Sequence, residues 1–564
     1  MRRALLIVTL AALVLPASAW AHAALLKTSP SASVTVNTAP KQVALTYSEA
    51  VEPRFAIVSV TDAAGKQQTA GPPTRSAGDP DELDVPFAPR LRQGWYLVFW
   101  RVISEDGHPV RGAFTFAVGP NPGPAPAFVI PSLSETAVTT PLIALRWLVF
   151  ISAMAAVGLL ALRVAIARPL LTERPRALAV AFWAAIVVAL VAAPLYVLQA
   201  TAQFSLRSAW DVGTLVPLME QSAFGRAWLR FELLLALFAI AGGIAIWLDR
   251  GANRVRSIAE LLSLAGATLA AAALVLLPGV AGHAAQTDPR ALSVILDWLH
   301  VGSGALWVGG LIGLLVLWRS VPAVRRTAAL VICVPRFSNV AFVSVALLLG
   351  SGVTASVVHL PTLSALWSTT YGDWILVKAG LLLAAGCLAA LNLLRTRPAL
   401  LRPEPPPSAA VLLRRLVAGE TLLVAAAVAA AAILSSLPPP PKAIAGVAAP
   451  SAHAGPGPVS LTLDRNGYSF RVRISPNRAA VPNDFSAEVT RNGLPVRGAD
   501  VTLRFDMLDM EMQSLEYRLA EVRPGVYERS EPTLVMVGRW GLTLTVTPKR
   551  GAPASVVLLD RAGG

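Results

Sequence analysis

ALSVILDWLHVGSGALWVGGLIGLLVL, residues 291–317, contains only two ionisable side chains, Asp297 and His300. A helix needs about 20 apolar residues to cross a bilayer, and this run exceeds that. Seven further runs of the same kind lie near 142–162, 178–200, 229–248, 258–279, 338–358, 374–394 and 412–436. With 55% hydrophobic and 14% charged residues over 564 positions, the chain is too apolar for a soluble multidomain protein. The expected architecture is therefore an eight-helix transmembrane bundle.

Charge alternates across these runs. Arg163, Arg168, Arg174 and Arg176, then Arg250, Arg254 and Arg256, then Arg319, Arg325, Arg326 and Arg336, then Arg395, Arg397, Arg402, Arg414 and Arg415 fall in connections on one side. The positive-inside bias makes that side cytoplasmic. It also accounts for much of the net charge of +15, and with a secretory signal it excludes a nucleic-acid partner. The lipid bilayer is the expected partner, and a bacterial-type inner membrane the expected location.

The signal is at the front. Met1-Arg2-Arg3 is a basic start, residues 4–15 an apolar core and Ala19-Trp20-Ala21 a cleavage site, so residues 1–21 read as a signal peptide. Cleavage makes His22 the first residue of the mature chain. Its free α-amine and imidazole form an N,N chelate of the kind that suits Cu(II).

Pro-rich stretches at 121–138 and 438–458 read as linkers, which bound a domain at 22–120, a membrane domain at 139–437 and a last domain at 459–560. Both ends alternate like strands, as in Val43-Ala44-Leu45-Thr46-Tyr47, Tyr96-Leu97-Val98-Phe99-Trp100 and Val501-Thr502-Leu503-Arg504-Phe505. The first reads as a small β-barrel or sandwich and the last as a β-sandwich. Both are placed outside the cytoplasm. Cys333 and Cys387 fall in membrane runs, so metal chemistry at either end must use His, Met or carboxylates.

Six histidines occur: His22, His108, His283, His300, His359 and His453. The topology puts five outside the cytoplasm and His300 in the external half of the fifth span. In extended chain Asp106 and His108 share a face, and with His22 they could complete an N,N,N,O plane around Cu(II). The alternative for Asp106-Gly107-His108-Pro109 is a polar turn.

His22-Ala23, Leu45-Thr46-Tyr47-Ser48-Glu49-Ala50-Val51-Glu52 and Ser104-Glu105-Asp106-Gly107-His108-Pro109-Val110-Arg111-Gly112-Ala113-Phe114-Thr115-Phe116 resemble the CopC family of periplasmic copper-binding β-barrels. The resemblance implies that His22, Asp106 and His108 bind Cu(II), with Glu49 beside them. Residues 22–120 contain no methionine, so a Met-rich Cu(I) site is not expected there.

The membrane part resembles the CopD family, here fused to the CopC-like domain. The matching pieces are Gly225-Arg226-Ala227-Trp228, Gly282-His283-Ala284-Ala285, Asp297-Trp298-Leu299-His300, Trp307-Val308-Gly309-Gly310-Leu311, Arg336-Phe337-Ser338 and Tyr371-Gly372-Asp373-Trp374-Ile375-Leu376-Val377-Lys378. That family is associated with copper uptake or tolerance at the inner membrane. Asp297, His300 and Lys378 are costly in a bilayer unless paired or facing a polar path, and Asp297 and His300 share a helix face at i, i+3. His283, His300 and His359 either converge on one external-half copper site or are two interfacial residues and one buried histidine. Met154 and Met219 are soft ligands or packing.

Asp506-Met507-Leu508-Asp509-Met510-Glu511-Met512, with Pro524-Gly525-Val526-Tyr527 and Gly538-Arg539-Trp540, looks like the YtkA/FixH type of small β-sandwich. Met507, Met510 and Met512 are either a Cu(I) site, since thioethers favour that ion, or core packing. His453, in the second linker, is expected to be unstructured.

The expected function is copper carriage: Cu(II) capture outside, then passage inward through the bundle, with periplasmic copper chaperones as partners and no enzymatic activity. No G-x-x-x-x-G-K-[ST] motif is present, so passage is passive or coupled to another gradient. The competing readings are copper sequestration for tolerance, a haem-binding membrane cytochrome, which needs two facing histidines, and oxygen activation by the histidine chelate, as in lytic polysaccharide monooxygenases.

Overall fold

The computed structural model describes residues 23–563 apart from 89–90, 104–108, 129–138, 169–175, 250–254, 282–288, 510–513 and scattered single or paired positions. The chain divides into a helical unit and a β-rich unit.

Eight helices are long and apolar enough to cross a membrane: α1 Thr140–Ala161, α2 Arg176–Ser205, α3 Ala223–Leu248, α4 Ile258–Ala281, α5 Arg290–Ser320, α6 Ala323–His359, α7 Thr370–Leu391 and α8 Pro407–Leu434. Large apolar side chains on their outer faces, such as Val180, Val187, Leu233 and Leu422, are exposed. That suits lipid, the only solvent in which such faces are satisfied. Two regions depart from the expected loops. Arg325, Arg326 and Arg336 lie within α6 rather than before it, because a helix whose backbone bonds are internal extends past its apolar stretch. Arg163 sits in a π-helical continuation of α1, Leu162–Ala167, with Arg168 next to it, and Arg395 in another after α7, Asn392–Thr396.

α5 is central, packing against α1, α4, α6 and α8. It meets α1 backbone to backbone: a Cβ on Gly309 would fall 2.4 Å from Gly158 Cα. Only glycine at both positions allows this approach, the usual way membrane helices gain contact. Just beyond the same end of α1, Arg163 and Arg168 both pair with Asp249, which follows α3 (3.5 and 3.1 Å).

The N-terminal β domain has two sheets, ordered β1-β3-β6-β5 and β2-β8-β7-β4. They comprise β1 Leu25–Ser29, β2 Thr35–Val36, β3 Gln42–Tyr47, β4 Ile57–Asp62, β5 Thr74–Arg75, β6 Glu82–Pro86, β7 Gly94–Ile103 and β8 Pro109–Val118. Alternate residues Val43, Leu45 and Tyr47 on β3 and Tyr96, Val98, Trp100 and Val102 on β7 fill the core, as the period of two requires.

The C-terminal β region has ten strands: β9 Ala452–His453, β10 Val459–Arg465, β11 Tyr468–Ser475, β12 Asn483–Arg491, β13 Leu494–Pro495, β14 Asp500–Met507, β15 Leu515–Arg523, β16 Val526–Glu531, β17 Gly538–Thr547 and β18 Ala554–Ala562. They form one nearly barrel-shaped sheet, ordered β10-β11-β12-β16-β15-β14-β17-β18-β9 with β13 on β12. Strand β15, Leu515–Arg523, turns the sheet on itself by pairing first with β14 (Asp500–Met507) and then with β16 (Val526–Glu531). His453 is not unstructured: it lies in β9, opposite Leu559 of β18. An exposed sheet edge accepts any extended segment that supplies backbone partners, which composition alone does not reveal.

Candidate metal sites

The sequence-predicted residues of the N-terminal domain adjoin, in sequence, strand ends of both its sheets. Leu25, at the start of β1, pairs with Tyr47, at the end of β3. The Tyr47 ring stands edge-on to Trp100 of β7 at 5.6 Å, tying the two sheets together. Ile103 ends β7 opposite Pro109, the start of β8. His22 is three residues before Leu25, and Asp106 and His108 belong to the connection 104–108; these three lie outside the described residues. Glu49, two residues beyond Tyr47, is half-buried. Burial holds the Tyr47 phenol well above its usual range, so it stays protonated. Arg101, just before the connection, is brought down to about 10 by burial and by the like charge of Arg111.

In the membrane domain the sequence-predicted residues Asp297, His300 and Lys378 do come together. Nδ1 of His300 lies 3.0 Å from Oγ of Ser351 on α6. That hydroxyl donates its own hydrogen to the Leu347 carbonyl at 2.7 Å, so it can only accept from the ring. The proton is thus assigned to Nδ1 and the lone pair to Nε2. Nε2 faces Nζ of Lys378 at 3.4 Å. Helix α7 packs along α8, and it is the long Lys378 side chain that reaches α5. Asp297, one turn from His300, acts electrostatically on the Lys378 ammonium, and its carboxylate lies over Gly279 of α4, where a Cβ would be 2.8 Å from Oδ2. Four helices therefore contribute to one polar cluster.

His359 does not join it. It lies on the same helix as Ser351 but eight residues further on, a rise of about 12 Å. His283 lies outside the described residues. Among the described residues no three His, Cys, Asp or Glu side chains gather around one metal position. Met154 packs against Gly304 of α5, and Met219 presses its backbone on Gly225. Met507 is 2% exposed in the C-terminal core, its Cε against Gly538; Met510 and Met512 lie outside the described residues.

Two groups escape the sequence reading. Ser351 carries no signal there, since a serine in a span is common. Glu420 does: it is an acidic residue inside an apolar run, the criterion that singled out Asp297. It is 3% exposed on α8 and accepts from Trp307 Nε1 at 2.8 Å.

Comparison with known proteins follows the same order of parts. Residues 25–119 match the CopC domain, 136–291 the copper resistance protein D-like N-terminal domain, 331–434 copper resistance protein D and 462–545 the YtkA-like family. The copper transport protein CutJ of Bacillus subtilis is 26% identical over 390 residues, 68% of this chain and 70% of that one. Protein YobA of Escherichia coli K12 is 40% identical over 118 residues, 21% of this chain and 94% of that one. The crystal structure of CopC from Methylosinus trichosporium OB3b is 38% identical, covers 18% of this chain and 98% of its own, and superposes with a TM-score of 0.17.

Fold and sites define a multi-pass membrane protein whose helical segment is preceded and followed in the chain by a β domain. The chain belongs to the CopC–CopD fusion family of copper-resistance and copper-transport proteins, with a YtkA-like domain at its C-terminal end.

Proposed function

We propose that this protein carries copper inward across the cell membrane. Cu(II) is captured outside by the amine and ring of His22 with Asp106 and His108, Glu49 standing near, and copper then passes the His300 cluster. On this reading residues 1–21 are removed, both β domains face outward, and the Arg-rich helix ends face the cytoplasm. Three points support the capture site: the sheets whose strands adjoin its residues in sequence are tied by the Tyr47–Trp100 contact, a donor set of amine, imidazoles and carboxylate suits Cu(II), and relatives named for copper resistance or transport match this chain.

The single observation that carries the transport reading is the His300 lone pair, held by Ser351 and aimed at Lys378. A buried imidazole with its proton fixed on the far nitrogen is the form that binds a metal ion. Lys378 occupies the place the cation would take. As copper reaches Nε2, the ammonium is repelled toward Asp297, whose carboxylate balances it; as copper leaves, the ammonium returns. Lys378 and Asp297 thus stay paired with each other throughout, and no change of oxidation state is needed at this step. Haem ligation fits less well, because among the described residues no second histidine of the spans faces His300: His359 lies eight residues beyond Ser351 on α6.

Right-side-out and inverted membrane vesicles test the direction and the site together. Right-side-out vesicles should accumulate copper and lose that ability on His300→Ala. Accumulation in inverted vesicles only would reverse the orientation or the direction, and equal accumulation by the variant would remove His300 from the path.

A further inference from the structure

Glu420 is not used by the copper path just described. It is the fourteenth of the twenty-eight residues of α8, so about 20 Å of helix lies on either side of it. Its carboxyl is 3% exposed, inside the bundle and five residues from Arg415 on the same helix. Its partners are neutral: Trp307 Nε1 donates at 2.8 Å, and the Asn392 side chain is the other hydrogen-bond partner. Asn392 opens the π-helical turn Asn392–Thr396. The buried Thr396 hydroxyl has two acceptors for its one hydrogen, the Asn392 carbonyl at 2.7 Å and Asn392 Oδ1 at 2.9 Å.

No charged side chain among the described residues balances Glu420. Arg146 on α1 is held by Tyr196, Ser435 and Ser436. Asp297 and His300 on α5 and Lys378 on α7 form their own cluster. Arg414, on α8 itself, lies over Trp318. An unpaired carboxylate in low dielectric is costly, while the protonated acid is not. Two N–H donors make the charged form reachable without making it the resting one. Single π-turns recur at functional positions in helices, and this one links the carboxyl, through Asn392 and Thr396, to the end of α7 that carries Arg395.

We propose that Glu420 is a proton-binding site within the membrane-spanning bundle, giving up and regaining one proton as a copper ion crosses; the coupling to copper rests on the transport reading above. The Glu420 O–H bond breaks, the proton passes to water of the medium on the side of the α7 end that carries Arg395, and the carboxylate stays on the Trp307 and Asn392 donors until water returns a proton.

Infrared difference spectroscopy of the full-length protein in lipid tests this, with Glu420→Gln as the variant because glutamine keeps an oxygen for Trp307. Wild type should show a carboxylic-acid band, shifted by deuterium, that the variant lacks; identical spectra overturn the proton site. Copper should bleach that band in wild type and acidify the medium on the Thr396 side of reconstituted vesicles, and both effects should vanish in Glu420→Gln. A band that persists while copper is taken up overturns the coupling. Should wild-type vesicles take up no copper, the transport reading and the coupling fall together, and the resting band still decides the proton site.

Discussion

Nε2 of His300 faces Nζ of Lys378 at 3.4 Å, while Nδ1 is fixed on Ser351 at 3.0 Å. The ammonium is then the electrostatic obstacle to a metal ion at that nitrogen. Like charges at this range oppose each other by about 1–4 kcal/mol. Lys378→Met should therefore tighten copper binding at His300 by about ten-fold or more, and slow its release. Competition with a chromophoric chelator, in a His22→Ala background that silences the outer site, measures this. Unchanged affinity would mean that Lys378 does not guard the nitrogen.

Ser351→Ala removes the acceptor that fixes the proton on Nδ1. An unsatisfied buried donor costs about 1–3 kcal/mol, so the variant should be less stable in detergent and weaker in copper uptake. Ser351→Thr keeps the hydroxyl and should restore much of both.

The contact between Gly158 and Gly309 leaves no room for a side chain on either helix. Gly309→Ala should separate α1 from α5 and lower the thermal stability of the purified protein, with loss of the monodisperse peak on size exclusion. Gly266→Ala and Gly380→Ala, where a Cβ would meet nothing within 4 Å, are the matched controls and should be silent.

How much of this was legible beforehand follows the physics of each part. The eight spans are long apolar runs, and lipid imposes them almost without regard to detail. Strand alternation marked both β regions for a similar reason, since each has one buried face. Asp297 and His300 announced themselves because charge in a bilayer is rare, and Glu420 carries the same mark. What sequence could not supply was distance across helices. His359 has the right residue type on the right side, yet helical rise carries it away from Ser351 and His300. Ser351 is an ordinary serine until its hydroxyl is seen bonded to the ring. Likewise, His453 reads as linker until the free edge of β18 takes it up.

Asp560, buried in β18, accepts from Asn477 at 2.9 Å. Burial raises its carboxyl above the usual value, partly offset by hydrogen bonds from Asn477 and the Arg561 backbone. A carboxyl raised on folding binds its proton more readily in the folded state. Its contribution is therefore fully present in acid, below the unfolded value, and is lost as pH rises through the folded one. Asp560→Asn keeps an acceptor for Asn477 and removes the ionisation. Hydrogen exchange of residues 554–562 should slow in the variant at neutral pH, and the difference should shrink in acid.

The capture site depends on the mature chain starting at His22. One alanine placed between the cleavage site and His22 removes the chelating amine while leaving every side chain present. Electron paramagnetic resonance of the Cu(II)-loaded protein should show loss of the nitrogen-rich tetragonal signal and much weaker binding. An unchanged spectrum would exclude the terminal amine as a ligand.

Cellular copper content, measured with and without expression of the full chain, bears most directly on copper carriage itself. Wild type should raise it, His22→Ala should reduce the gain most at low external copper, and His300→Ala should abolish the gain at every concentration. Copper content that is the same for wild type and His300→Ala would contradict passage through the His300 cluster.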